Sequence, residues 1–423
     1  MQGTAFLRLI GLGAIIGVPT ALAAALLLGA IHELEHLLWT DWPESLGLDS
    51  PPWWMLLGLP VAGALVVWAA RVLLPGDGGH EPLGGISMAP TPMGYVPSIA
   101  LAAIGSLAFG AVLGPEAPLI ALGSAVGMVA ARAARLGPKG SQVVAVGGSF
   151  SAVSAVFGGP IVAGVLMLGA GLAAGASLIP ALLPGLVAAA VGYTLFVGVG
   201  AWAGLPSQSI EVPGLPDYPT TRVIDLLLAV VVGVLVVLVV EVVRRLARGV
   251  SAVRPRIGTG PSLLGAAVAL GVIAIVAEAL GASSHDVLFS GQSSMPDLVS
   301  TTSQTTLWVL IVAKSLGYAL CLGAGFRGGP VFPAIFIGTA AAMLLVNLAG
   351  MSPTVAVAIG TACGVTAFTR LILTSLVFAA LLVGSASGAA MPAAVLGAAA
   401  SWITGVVLDK RASAIPGTPR VPE

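Results

Sequence analysis

Two stretches of the chain carry the same punctuation: residues 114–125 read GPEAPLIALGSA and residues 329–340 read GPVFPAIFIGTA. They match at Gly114/Gly329, Pro115/Pro330, Pro118/Pro333, Ile120/Ile335, Gly123/Gly338 and Ala125/Ala340. Gly and Pro do not continue a preceding helix, whereas Pro in a first helical turn gives up only an amide that has no intrahelical partner. Each stretch therefore reads as a helix N-terminus set inside an apolar run. Inside a membrane, the free amides and positive dipole end of such a terminus suit an anion and repel a cation. Two copies would aim two termini at one site, and broken helices at corresponding positions of two halves point to a midplane ion site.

The membrane setting follows from composition. Hydrophobic residues make up 57% of the 423 residues and charged residues 8%, against about 25% charged in an ordinary soluble domain. A soluble protein is excluded, and a formal net charge of +0 leaves no basic surface for nucleic acid. The partner implied is the lipid bilayer, at the cell (plasma) membrane in a multi-pass arrangement. Cys321 and Cys363 both fall in apolar runs and read as small buried hydrophobes rather than a disulfide framework. The run over residues 9–38, preceded by Arg8, is too long for a signal-peptide core and reads as a retained first helix.

A hydrocarbon core of about 30 Å takes about 20 apolar residues per spanning helix. Runs at residues 9–38, 52–74, 224–243 and 263–280 meet that length. Between residues 96 and 201 the chain is apolar but interrupted at Gly114, Gly137, Gly147, Gly158 and Pro180, and residues 306–408 have the same texture. Full spans mixed with half-spans that enter and turn back are expected in both halves. The polar stretch 206–222, with Glu211 and Asp217, reads as a surface joint. The expected organisation is a first membrane repeat over 1–205, an extracytoplasmic linker over 206–223, a second repeat over 224–410 and a short cytoplasmic tail over 411–423. Three basic groups mark the cytoplasmic side: Arg132, Arg135 and Lys139; Arg244, Arg245, Arg248, Arg254 and Arg256; Lys410 and Arg411. Trp39, Trp42, Trp53 and Trp54 read as an interfacial aromatic belt on the other face. The short match does not decide whether the repeats run parallel or inverted.

Charges in apolar runs need a reason, because each costs several kcal/mol near the bilayer centre. They are Asp77, Glu116, Glu278, Lys314, Arg327 and Arg370. Glu116 stands out, since the matching position is the uncharged Val331 and a carboxylate can itself occupy an anion site at a helix N-terminus and leave it when protonated. Arg327, just before the second copy, would add fixed positive charge near that terminus. For Glu278, Lys314 and Arg370 structural pairing is the expected role.

The segments GPEAP, GGSFSAVSAVFGGPIVAGVL and GAGFRGGPVFPAIFIGTA, in that order and spacing, resemble the CLC chloride channel and antiporter family, in its divergent bacterial ion-transport branch. The resemblance implies an all-α polytopic membrane protein of two inverted repeats with tilted and re-entrant helices, a homodimer with one pore per subunit. It implies transport of a small inorganic anion such as chloride, fluoride, nitrate or bicarbonate, with no cofactor. Glu116 falls on the family's gating glutamate. Gly114, Ala117, Gly328, Gly329, Val331 and Phe332 fall on the anion-binding termini with Arg327, and Asp77, Gly79 and Lys410 on pore-lining positions. The departures are specific: Pro115 and Pro330 lack amides that the family points at the anion, GDGGHEP has Asp77 or Gly79 where the family has a serine, and SWITGVVLDK has no tyrosine. No acid follows GGPIVAGVL, where antiporters carry an inner glutamate, so a two-glutamate proton relay is not expected.

A second reading comes from His32, Glu33 and His36, which spell H-E-x-x-H. On a helix the two histidines share a face that suits zinc, with Glu33 as general base and Asp77 as a candidate third ligand. It would make the chain a membrane-embedded metalloprotease.

Overall fold

The structure, a computed structural model, describes residues 3–173, 179–205 and 210–413. Ten of its helices are long and apolar enough to cross a membrane, and three apolar helices, Met93–Leu107, Pro160–Gly171 and Pro353–Thr369, are shorter. The chain is a multi-pass membrane protein in which the three shorter apolar helices are set among the long ones.

The described residues form two compact units. The first comprises Met1–Ile210, Arg244–Ser294 and Val312–Pro333. It holds helices α1 (Gly3–His36), α2 (Trp53–Leu73), α3 (Val96–Leu107), α4 (Glu116–Ala133), α5 (Pro138–Phe157), α6 (Pro160–Ala173) and α7 (Ile179–Val197). It also takes the C-terminal part of α8 (Val223–Ile257), all of α9 (Thr259–Ala279), most of α10 (Gln304–Ala324) and the first residues of α11 (Val331–Ala349). The second unit comprises Glu211–Val243, Met295–Ile311 and Ala334–Glu423 and holds α12 (Pro353–Thr369), α13 (Ile372–Val383) and α14 (Ser387–Ser413). The two units are interleaved along the chain. Of the polar joint, residues 206–209 lie outside the described residues, as does the tail from residue 414.

The expected interruptions find their physical form at most positions. The chain is non-helical between Leu107 and Glu116, Gly137 precedes α5, and Pro180 sits in the first turn of α7. Gly158 ends α5 at φ +74°, a left-handed cap that a glycine adopts without penalty. Gly147 does not break its helix, because α5 runs through it, and its neighbour Gly148 serves close packing instead. A Cβ there would lie 2.0 Å from the carbonyl oxygen of Gly123 in α4, so the two backbones touch, as small residues allow between membrane helices.

Gly338, which matches Gly123 in the second copy, does the same in the second unit: its Cβ would lie 2.2 Å from the Gly360 carbonyl of α12. The helices that receive these contacts are also alike. Residues 143–157 of α5 and 354–368 of α12 are buried without interruption, which is why neither shows an amphipathic pattern. Even the caps agree, since Arg370 closes α12 at φ +63° as Gly158 closes α5. The basic group at 244–256 is helical, in the last turns of α8. Arg is a good helix former and its charge complements the negative end of the helix dipole.

Candidate functional site

The two repeated elements meet inside the first unit. The Gly114 amide donates to the Gly329 carbonyl (2.7 Å) and the Gly329 amide to the Gly114 carbonyl (2.5 Å), an isolated antiparallel bridge. The two backbones run antiparallel at that bridge. Helix α4 begins two residues after Gly114 and α11 two residues after Gly329, so one bridge sets two helix N-termini side by side.

The side chain of Glu116 reaches across. Its Oε1 accepts a hydrogen bond from the Val331 amide at 2.6 Å, and the residue is 0% exposed. Both bridge glycines make the room: a Cβ on Gly329 would lie 2.0 Å from Glu116 Cδ, and one on Gly114 would lie 2.1 Å from Oε2. Oε2 has no hydrogen-bond partner among the described residues. Pro115 and Pro330 have no amide to give; the Val331 amide, at the first residue of α11, bonds the carboxylate, and the backbone amide of Glu116 itself also acts on it. A charge-assisted bond at the positive end of a helix stabilises the carboxylate, while complete burial costs it hydration. Phe332 is also buried and stacks on Phe157, the last residue of α5, at 5.5 Å between centroids. The Tyr318 hydroxyl, buried in α10, donates to the Pro330 carbonyl at 2.7 Å.

The loop GDGGHEP lies beside these elements in the first unit. Gly76, Asp77, Gly78 and Gly79 all have positive φ, a left-handed path open to glycine and tolerated by aspartate. Two serines of α3 fix the loops: Ser98 Oγ accepts from the Gly78 amide (2.7 Å) and Ser106 Oγ from the Arg327 amide (3.0 Å). Arg327, 1% exposed, donates to the Asp77 carbonyl (2.9 Å) and to Asp77 Oδ2 (2.7 Å). Arg71 holds the other side of Asp77 (2.8 Å), and Arg254 pairs with Glu81 (2.7 Å). Three guanidinium groups thus face two carboxylates. Burial pushes the Glu81 carboxyl up, but Arg254, Arg327 and Arg71 outweigh it and hold it below its usual value. Burial, then Arg327, holds His80 below its usual value. A cavity of about 250 Å³ is lined by Gly79, His80, Thr91 and Tyr95 on one side and by Ala117 and Ile120 of α4 on the other.

Of the residues singled out in the sequence, Gly114, Glu116, Gly328, Gly329 and Val331 come together at the bridge; Gly328 lies against Leu113 and the Gly114 carbonyl. Ala117 and Gly79 share the cavity. Arg327 is directed to Asp77 rather than to Glu116, and Asp77 is bound by arginines from both sides. Lys410 is exposed near the end of α14, in the second unit. Lys314 is fully buried and donates to the Asp286 and Leu288 carbonyls, Arg370 pairs with Asp409 at 3.0 Å, and Glu278 is exposed in the last turn of α9. The zinc reading finds no support: His32 and Glu33 are exposed, His36 contacts Asp41 at 3.0 Å, and among the described residues no group of three metal-ligating side chains is assembled. Tyr318, Ser98 and Ser106 were not singled out. The one available signal was for Tyr318, one of only four tyrosines, four residues after Lys314 in an apolar run.

An all-helical membrane protein with paired broken helices and a buried glutamate between their N-termini is the class that fold and site define. The model of the voltage gated chloride channel family matches residues 62–405, and the chain belongs to that family. Among similar sequences are proteins named "Putative ion-transport protein YfeO". The one from Escherichia coli is 27% identical over 341 residues, covering 78% of this chain and 77% of the relative. The one from Shigella boydii is 28% identical over 346 residues, with the same coverage. Among solved structures, a slow cyanobacterial Cl−/H+ antiporter superposes with a TM-score of 0.75 at 16% identity, covering 95% of both chains. A CLC-type fluoride/proton antiporter gives 0.74 at 18% identity, covering 95% of this chain and 96% of the other. These two likenesses establish the fold.

Proposed function

We propose that the chain carries a small inorganic anion across the membrane and that Glu116 is its gate. The observation that carries this reading is the 2.6 Å bond between the Glu116 carboxylate and the Val331 amide in a fully buried site. A carboxylate seated on a helix N-terminus occupies the place that an anion would take. When protonated it gives up the charge that holds it there, and the amide of Val331 is left to a mobile anion. Family membership supports the same reading, and the relatives named for chloride and for fluoride make these the first two anions to test, with nitrate and bicarbonate beside them. The approach runs through the cavity between Gly79, His80 and Ala117, where the surplus guanidinium charge of Arg71, Arg254 and Arg327 draws anions in.

The working form is a homodimer in the plasma membrane with one pathway per subunit, built from a duplicated repeat over 1–205 and 224–410. Its basic groups at 132–139, 244–256 and 410–411 face the cytoplasm. It is a transporter and not an enzyme. The test is flux from liposomes loaded with chloride, fluoride, nitrate or bicarbonate, against potassium as the cation. Anion flux that leaves potassium behind is the expected result, and selective potassium flux would refute the reading.

A further inference from the structure

The hydroxyl of Tyr318 and the carboxylate of Glu116 bind the two ends of one peptide group. Tyr318 donates to the Pro330 carbonyl at 2.7 Å, and the amide of the next residue, Val331, donates to Glu116 at 2.6 Å. The carbonyl of Pro330 and the N–H of Val331 belong to the same planar, conjugated unit. A donor on its oxygen draws electron density from nitrogen and strengthens its N–H as a donor, and chains of hydrogen bonds in a poorly polar interior reinforce each other by about 10–30% per bond. Both ends are sealed, since Tyr318, Val331 and Glu116 are each 0% exposed. The proline also matters: Pro330 fixes its own φ, which leaves its carbonyl as the handle by which this peptide can be oriented.

We propose that Tyr318 is a positioning residue for the gate, acting through the Pro330–Val331 peptide to set how firmly the Glu116 carboxylate is held. It rests on the reading of Glu116 as a gate and deepens it by naming the residue that tunes the gate's pH response. The charged groups that act on the Tyr318 hydroxyl are Glu116 and Arg244 of α8. The other polar groups nearby on α10 are directed elsewhere: Lys314 to the Asp286 and Leu288 carbonyls and Cys321 to the Val112 amide. Arg327 is bound to Asp77.

The sign follows from the chemistry. Removing the hydroxyl weakens the Val331 donor, the carboxylate loses stabilisation, and Glu116 takes up its proton at a higher pH. In Tyr318→Phe, which removes one oxygen and keeps the ring, the titration of Glu116 moves up by roughly 0.3 pH unit. Substituting 3-fluorotyrosine at position 318, a stronger donor of the same shape, moves it down.

The experiment is difference infrared spectroscopy of the purified protein across pH. The carboxylic-acid carbonyl band of Glu116 is isolated by subtracting Glu116→Gln, and the titration is repeated with Phe and with 3-fluorotyrosine at position 318. Opposite shifts in the two variants are the expected result. Midpoints that stay together, or shifts of the same sign, overturn the proposal, and the fluorinated variant decides alone where Tyr318→Phe does not fold. Because the band reports protonation and not flux, a protein with opposite shifts but no anion flux would refute the transport reading and leave the positioning role standing.

Discussion

Gly114 and Gly329 exchange both of their backbone hydrogen bonds, at 2.7 and 2.5 Å, and lack the side chains that would collide with Glu116. One pair of glycines thus aligns two helix starts and leaves the space in which a carboxylate bridges them. The buried carboxyl takes the Val331 amide on Oε1, while Oε2 finds no hydrogen-bond partner among the described residues.

Replacing Gly329 by alanine places a Cβ where Glu116 Cδ now lies. The flexible carboxyl arm gives way before the bridged backbone does. The expected outcome is flux at neutral pH that approaches that of Glu116→Gln and loses its pH dependence, with a stability loss of about 1–3 kcal/mol from overpacking. Flux against pH together with thermal unfolding checks it; a wild-type pH profile would show that the carboxyl does not sit against Gly329.

Arg327 carries a structural role that Asp77 does not. Its guanidinium is 1% exposed and binds both the carbonyl and the carboxylate of Asp77, whose own side chain is 60% exposed. Arg327→Met is expected to cost about 2 kcal/mol in lost charged hydrogen bonds, and Asp77→Asn less than about 1 kcal/mol after solvent screening. Equal melting temperatures for the two variants would contradict this ranking.

Glu81 makes stability pH-dependent at the acidic end. Its carboxyl is held below the usual value, so its contribution is fully present above the unfolded carboxylate range, near pH 4.3, and is lost as pH falls through the lower folded value. Glu81→Gln is expected to melt below wild type at pH 7 and to match it at strongly acidic pH. The side chain is 38% exposed, which limits the difference at pH 7 to about 1 kcal/mol. A difference that grew with acidity would have the wrong sign.

Proton coupling is expected to be weak. Helix α6, which contains the position just after GGPIVAGVL where the family resemblance puts an inner glutamate, has no acidic residue in its sequence PIVAGVLMLGAGLA. Glu278, the acid elsewhere in an apolar run of the sequence, is exposed at the end of α9. An imposed anion gradient should therefore not drive sustained uphill proton movement in liposomes; steady proton pumping that survives Glu278→Gln would contradict that expectation and point to a relay elsewhere.

What the sequence made legible was punctuation. Gly and Pro at matched positions announced both helix starts, and a carboxylate beside one of them announced the site, because these residues act through their own backbone chemistry. Gly147 was misread for the same reason: a glycine that ends a helix and one that lets two helices touch look alike until the neighbour is known. Arg327 and Asp77 were legible as costly charges but not as a pair, since loops far apart in sequence bring them together. Tyr318 was legible only as a rare tyrosine in an apolar run, not by its partner. Its part depends on a hydrogen bond to a carbonyl twelve residues on, and neither periodicity nor composition records which peptide a buried hydroxyl will find.

The most direct test is anion flux against pH for wild type and Glu116→Gln in the same liposomes, with thermal stability recorded alongside. The amide of Glu116→Gln imitates the protonated acid without its titration. Wild type is expected to speed up as pH falls on the accessible side, because protonation frees the Val331 amide, while Glu116→Gln is fast and nearly independent of pH. If the two proteins share one rate and one pH profile, or if Glu116→Gln only lowers stability, Glu116 is a structural acid and not the gate.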